Sequence, residues 1–190
     1  MMKKQSTLFP GEQETVIAEL DLKGAQEIAA QIKREVEAQC SQIETVGSIR
    51  RQRVEIHDVD FVVVAKNNFD WQRINEKLKR MKARPSCAGN SLIKAFIPFR
   101  EGFFQIDFYR AEPANFGIQT LVRTGSAEHN IWLAGFAISK GMRIKYNQGL
   151  IKDEKVIAGE SEKGVFEALD LPFPEPKERE ISDRKPIWQK

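Results

Sequence analysis

Asp58 and Asp60 are two carboxylates one residue apart in the run Asp58-Val59-Asp60-Phe61-Val62-Val63-Val64. In a strand, side chains two apart share a face, so both acids point one way while Val59 and Phe61 point the other. Like charges beside an apolar run are costly unless cations neutralise them, and hard oxygen ligands suit Mg²⁺. Asp107 interrupts a second apolar strand, Phe104-Gln105-Ile106-Asp107-Phe108, on the same face as Gln105, and offers a third carboxylate. Two ions held about 4 Å apart would lower the pKa of an attacking hydroxyl and stabilise the leaving oxygen of an in-line phosphoryl displacement. Upstream, Gly47-Ser48 lets the backbone and a hydroxyl approach phosphate oxygens, and Arg51 adds a bidentate fork. Taken singly, each feature has an ordinary reading as a solvated edge or a surface arginine. In this order, cradle and carboxylates imply phosphoryl transfer from a triphosphate with two Mg²⁺, for which Mn²⁺ can substitute.

Several elements must position these groups. Ala25, Ile28, Ala29, Ile32 and Val36 recur at helical spacing and predict an amphipathic helix over about residues 22–40. A short strand, Ile43 to Val46, ends at Gly47-Ser48, and a longer β-branched strand covers Val54 to Ala65, its last half apolar on both faces. Trp71, Ile74, Leu78 and Met81 mark a second helix whose opposite face carries Arg73, Lys77 and Arg80. Next comes a hairpin from Leu92 to Phe99 and Phe103 to Tyr109, with Gly102 supplying the turn conformation. Beyond Pro113 the pattern gives a helical stretch over about 114–122, a break at Thr124-Gly125-Ser126, and a helix over about 127–140 stopped by Gly141. Short strands at Arg143 to Tyr146 and Lys155 to Ala158 and a helix over about 161–169 follow, until Pro172, Pro174 and Pro176 end regular structure. A soft boundary falls near residue 112.

Composition narrows the function classes. With 190 residues, 41% hydrophobic and 30% charged, the chain can bury a real core, which excludes collagenous or largely disordered readings. Cys40 and Cys87 are its two cysteines, too few for a disulfide framework or a four-cysteine zinc site. The start lacks an apolar signal core and no apolar run is long enough to span a bilayer, so an intracellular, cytoplasmic protein without membrane contact is expected. Net charge is only +3. Residues 72–110 nevertheless hold nine Lys and Arg against Glu76, Glu101 and Asp107, a basic segment suited to nucleic acid. Lys77, Arg80, Lys82, Arg84 and Lys94 are the candidate contacts there, with Lys140 beyond it.

Gly47-Ser48-Ile49-Arg50-Arg51, then Asp58-Val59-Asp60, resembles the signature of the nucleotidyltransferase superfamily, and closely that of the family X DNA polymerases. Gln105-Ile106-Asp107 is similar to the third metal-ligand strand of that family. Independently, Thr124-Gly125-Ser126-Ala127-Glu128-His129-Asn130, Lys140-Gly141, Gly149-Leu150, Val165 to Leu169 and Pro176-Lys177-Glu178-Arg179-Glu180 resemble its thumb. The resemblance runs from about residue 21 to 180. It implies an α+β fold: a palm over 21–112, its mixed or antiparallel sheet carrying helices on one face, then a small α/β thumb over 113–180 and a tail over 181–190. Asp58, Asp60 and Asp107 would be the metal ligands, Asp107 nearest the primer 3′-hydroxyl. Gly47, Ser48 and Arg51 would hold phosphates, and Lys23 stands roughly where the family places another phosphate-binding arginine. Gly125 and Asn130 would touch the incoming nucleotide, and Gly89-Asn90-Ser91 corresponds to the small-residue loop before the palm hairpin.

Departures from the pattern bear on selectivity. Val122-Arg123 replace the aromatic pair that excludes a ribose 2′-hydroxyl, which puts Arg123 beside the nucleotide sugar. Ala134 and Gln105 stand where arginines are common, which points to relaxed template control. Lyase and helix-hairpin-helix modules, and with them a deoxyribose-phosphate lyase activity, are not expected. Within residues 1–20, Gln5-Ser6-Thr7-Leu8-Phe9 resembles the pentapeptide that docks on the bacterial sliding clamp, with Gln5, Leu8 and Phe9 as anchors. His57 and His129 read as structural or phosphate-neighbouring groups, and Phe173 and Trp188 as packing. The expectation is therefore a monomeric polymerase filling short gaps in DNA, its partners a primer-template and a nucleoside triphosphate. A template-independent transferase and a non-catalytic DNA- or clamp-binding module are the alternatives.

Overall fold

A computed structural model describes residues 3–4, 16–17, 20–100, 102–182 and 185–186. The clamp-like peptide with Gln5, Leu8 and Phe9, and also Trp188, lie outside them. Two-residue strands β1 (Lys3–Lys4), β2 (Val16–Ile17) and β3 (Leu20–Asp21) precede helix α1 (Leu22–Val36). Asp21 caps α1, accepting from the Gly24 N–H at 2.8 Å, while Lys33 and Arg34 complement the dipole in the last turn. The predicted helix reaches toward 40, but α1 stops at Val36 and tightens into a 3₁₀ turn, Glu37–Gln39. Strand β4 (Cys40–Thr45) and the short helix α2 (Gly47–Arg50) follow.

The single strand expected over 54–65 is two. β5 (Glu55–Ile56) pairs with β3, and β6 (Asp58–Ala65) joins the main sheet, so the chain changes partners at His57. Helix α3 (Asn68–Arg80) is capped by Asn67, which accepts from the Asp70 N–H at 2.9 Å. Then come β7 (Arg84–Ala88), β8 (Leu92–Phe99) and β9 (Gly102–Arg110). β7 is absent from the sequence pattern because all five of its residues are exposed and lack alternation. The 89–91 segment is thus the turn of a β7–β8 hairpin, its Gly89 carbonyl accepting from Trp71 Nε1 at 2.9 Å. In the β8–β9 turn it is Arg100, with φ 52°, that adopts the left-handed conformation assigned above to Gly102.

Five strands run side by side as β7, β8, β9, β6 and β4, with β2 adding to β9 beside its start and β1 beside β2. β9 and β6 are parallel and the other pairs among the five antiparallel, so the sheet is mixed. Alternation sends Val59, Phe61 and Val63 of β6 and Phe104, Ile106 and Phe108 of β9 to one face. There they meet Ala25, Ala29 and Ile32 of α1 and Trp71, Ile74 and Leu78 of α3. Phe61 and Phe108 stack with centroids 4.8 Å apart. On the opposite face Val62 and Val64 meet Val46, Ala111 and Phe116. The same face carries the acids, with the buried Phe96 opposite Gln105.

After Ala111 a second core forms from helices α4 (Phe116–Thr124), α5 (Ala127–Ser139) and α6 (Glu162–Ala168) and the antiparallel strands β10 (Arg143–Lys145), β11 (Gly149–Lys152) and β12 (Lys155–Ala158). Ile118, Leu121, Leu133, Ala137, Leu150, Val165 and Phe166 fill it. β11 is a third strand that the sequence pattern does not mark, pairing with both β10 and β12. Gly117 permits the α4–α6 contact, since a Cβ there would lie 2.2 Å from Ser161 Cα. Phe173 packs edge-on against Phe166. The fold is α+β, with a mixed sheet carrying helices on one face. No helix among the described residues is long and apolar enough to cross a membrane.

One polar cluster joins the two cores. Glu162 accepts from Arg50 Nη1 and Nη2 at 2.8 and 2.6 Å, and from the fully buried Arg179 at 2.6 Å. Burial alone would raise the Glu162 carboxyl, but the Arg50 hydrogen bonds and both guanidinium charges override it and hold the acid below its usual range. Removing one member of such a cluster leaves buried charge uncompensated. Glu162→Ala is expected to destabilise the fold by roughly 3–5 kcal/mol, measured by denaturant unfolding against an exposed control such as Glu167→Ala.

Candidate active site

The site begins with a register. Parallel pairing sets Asp58 opposite Gln105 and Asp60 opposite Asp107, so three carboxylates share one face of two neighbouring strands. Gly47, with φ 66°, lets α2 approach them; a Cβ at that position would fall 2.4 Å from Asp60 Oδ2. The Val46 N–H donates to the Asp60 carbonyl at 2.9 Å and fixes the start of α2 over β6.

Crowding shows in the protonation of the acids. Burial and the Asp107 charge raise the Asp58 carboxyl, against the pull of His57, Lys94 and Arg51. Asp60 is pushed up to about 8, by burial first and then by Asp58 and Asp107. Asp107 is almost wholly buried, and its oxygens are taken. Oδ1 accepts from Gln105 Nε2 at 3.2 Å; Oδ2 accepts from the Tyr109 hydroxyl at 3.1 Å and lies 3.1 Å from Lys94 Nζ. As arranged, no three His, Cys, Asp or Glu side chains among the described residues converge on one metal position. The donor chemistry nonetheless fits divalent cations: three hard carboxylates, two with raised pKa, whose repulsion positive charge would relieve. Asp58, Asp60 and Asp107 are the groups that could hold them.

Beside the acids lies the expected phosphate cradle. The Ser48 hydroxyl oxygen is buried without a hydrogen-bond partner. Arg51 donates through Nη1 to the Thr124 carbonyl and through Nε to Glu180 at 3.2 Å. Ser48, Arg51, Arg53, His57 and Glu180 line a cavity of about 660 Å³. Lys23 is exposed in the first turn of α1, next to β5. On the other side of the acids, Arg123 stacks over the Tyr109 ring at 3.8 Å and lines a cavity of about 620 Å³ with Tyr146, Asn90 and Gln119. Gly125, with φ 75°, turns the chain between α4 and α5. Asn130 Nδ2 donates to the Val122 carbonyl at 2.7 Å, and its side chain also hydrogen-bonds His129.

The basic residues named for nucleic acid do not form one surface. Lys94 belongs to the carboxylates through its ion pair with Asp107. Arg84 is in register with Phe96 and Gln105 on the acidic face, stacked over Phe103 at 4.5 Å. Lys77 and Arg80 ride on α3, across the sheet from the acids, and Lys82 sits in the turn after it. Lys140 closes α5 in the second core. Residue types alone missed Tyr109, Glu162, Arg179 and Glu180. The hairpin register was the available signal for Lys94, because pairing Phe99 with Gly102 sets Lys94 opposite Asp107.

Residues 119–180 match the family described as DNA polymerase beta thumb. The chain is also 29% identical over 86 residues to DNA polymerase IV of Saccharomyces cerevisiae, a match covering 45% of this chain and 14% of the yeast protein. Motifs, fold and comparisons agree that the chain is a relative of the family X DNA polymerases, carrying a polymerase beta-like thumb.

Raised carboxyl pKa values mean that the folded state keeps protons the unfolded state has lost. The associated stability is complete below the ordinary value of 3.8 and disappears as pH climbs through about 8. Without divalent cations, Asp60→Asn is therefore expected to raise Tm at pH 9, roughly 2–4 °C for each kcal/mol relieved, and to leave it near the parent value at about pH 3.5. Thermal unfolding at the two pH values checks this.

Proposed function

We propose that this chain is a nucleotidyltransferase of family X type that extends a primer 3′-hydroxyl with a nucleoside triphosphate, acting as a short-gap DNA polymerase in repair. The observation that supports it most is the register of Asp58, Asp60 and Asp107 beside Ser48 and Arg51. Bound Mg²⁺ would supply charge to activate the hydroxyl and steady the leaving oxygen. Asp58, Asp60 and Asp107 would hold it, and Ser48 and Arg51 would grip the phosphates. The primer 3′-oxygen forms a bond to the α-phosphorus as the bond to the bridging oxygen breaks and pyrophosphate leaves; the hydroxyl proton would pass to the Asp107 carboxylate once Lys94 gives up its Oδ2.

Arg123 supports a second reading on sugar choice. It occupies the expected sugar-excluding position, but stacks on Tyr109 beside an open cavity, an arrangement suited to a site tolerant of ribonucleotides. DNA contact would use Arg84 on the acidic face, with Lys82 in the turn before it.

Primer extension on gapped and ungapped duplexes, with deoxy- and ribonucleotides, tests these readings together. Asp58→Ala is expected to lower extension by roughly a hundredfold or more, and full activity in that variant would refute metal-assisted transfer. Equal incorporation of all four bases opposite any template base would replace templated synthesis with terminal transfer. Lys94 competes for Asp107, so Lys94→Met is expected to tighten Mn²⁺ binding roughly threefold or more, as followed by the electron paramagnetic resonance of free Mn²⁺.

A further inference from the structure

The cavity beside Ser48 contains more charge than a two-residue phosphate cradle needs. Besides Arg51 it is lined by Arg53, His57 and Lys177, and by two acids, Glu55 and, from the far end of the chain, Glu180. Glu180 Oε1 accepts from Arg51 Nε at 3.2 Å and lies 3.6 Å from Arg53 Nη1, so a single carboxylate oxygen is shared between two guanidiniums. A bridging phosphate oxygen would make the same contacts.

The placement of Glu180 is built into the fold. Its neighbour Arg179 is fully buried on Glu162, donates to the Pro174 carbonyl, and accepts through its own carbonyl from the Ser126 N–H at 3.2 Å. Lys177 sits two residues earlier in a 3₁₀ turn, Pro176–Glu178, closed by reciprocal bonds between Glu175 and Glu178. Anchoring Arg179 thus holds one cation, Lys177, and one anion, Glu180, at the cavity. Arg53 and Glu180 side chains are 56% and 30% exposed, so their pair is solvated and opens at low cost. Ser48, whose buried hydroxyl has no hydrogen-bond partner, lines the same cavity.

We propose that Glu180 occupies the expected phosphate cradle of Ser48 and Arg51 as a carboxylate counter-anion when no phosphate is bound, and that Arg53 and Lys177 add their charge to that cradle for inorganic pyrophosphate. Calling that ligand the product of nucleotidyl transfer rests on the function proposed above; the anion site itself does not. Glu180 then weakens the hold on the leaving group and favours its release, at the expense of looser triphosphate binding.

Calorimetric titration of the full chain with pyrophosphate, without DNA or divalent cations, tests the subsite apart from catalysis. Glu180→Gln is expected to tighten pyrophosphate roughly 3- to 10-fold, and Arg53→Ala and Lys177→Ala to weaken it by a similar factor. Thermal unfolding of Arg53→Ala should match the parent, because Arg53 is mostly exposed. Opposite signs for the acid and the two cations support the proposal, since loss of structure would weaken binding in every variant. Unchanged or weaker binding in Glu180→Gln overturns the counter-anion, and affinity no better than for inorganic phosphate overturns the pyrophosphate subsite. Polyphosphate binding as expected in a chain that fails to extend primers would refute the polymerase reading and leave the subsite standing.

Discussion

Repulsion among Asp58, Asp60 and Asp107 is the constraint around which the rest of the molecule is arranged. Parallel register forces Asp60 and Asp107 onto neighbouring positions of one face, about 4.8 Å apart along the hydrogen-bonding direction. The reverse face of the same strands is occupied by Phe61, Phe108, Val59 and Ile106 against two helices, so the strands cannot turn to separate the acids. A one-residue slip would expose that entire apolar set. Core packing therefore holds the acids together against their own electrostatics. The strain appears as the raised Asp58 and Asp60 carboxyls.

Neighbouring cations answer this excess charge. Lys94 sits on Asp107, while Arg123, stacked on Tyr109, and Lys94 both lower Asp60 against the effect of burial. The cavity beside Ser48 shows the inverse arrangement, with Glu180 set between Arg51 and Arg53. Each half of the site thus pairs its excess charge with a side chain of opposite sign, an ammonium beside the carboxylates and a carboxylate between two guanidiniums. Such pairing offsets the cost of bringing like charges together.

The Glu162 cluster connects this electrostatics to the second core. Arg50, the residue before Arg51, is held by Glu162 and by Thr124 Oγ1 at 2.8 Å. Arg51 reaches the Thr124 carbonyl, so adjacent arginines grip the end of α4 from two sides. Arg179 completes the cluster from the tail and brings Glu180 and Lys177 over the cavity. Burial and the Arg179 charge push His129, enclosed nearby, down to about 4, so it stays neutral and adds no further positive charge at neutral pH. Buried charge and the apolar contact of Val62 and Val64 with Phe116 together set the position of the second core relative to the acids.

Local chemistry alone determined much of this protein. Strict alternation through Asp58 to Val64 and Phe104 to Phe108 fixed which side chains share a face, because strand geometry has a period of two regardless of context. Helical spacing marked α1, α3, α5 and α6 to within a few residues, and Gly141 ended α5 with the left-handed φ of 72° expected of it. The chain's partner changes were not legible in the same way: the break at His57, the exposed strand β7 and the short strand β11 depend on what each segment pairs with. Tertiary structure alone decided that Lys94 faces an acid, that Lys77 and Arg80 lie across the sheet from it, and that Glu162 and Glu180 meet arginines more than a hundred residues away. Periodicity records the geometry of one element, whereas the partner of a charge is fixed only when elements distant in sequence are brought into register.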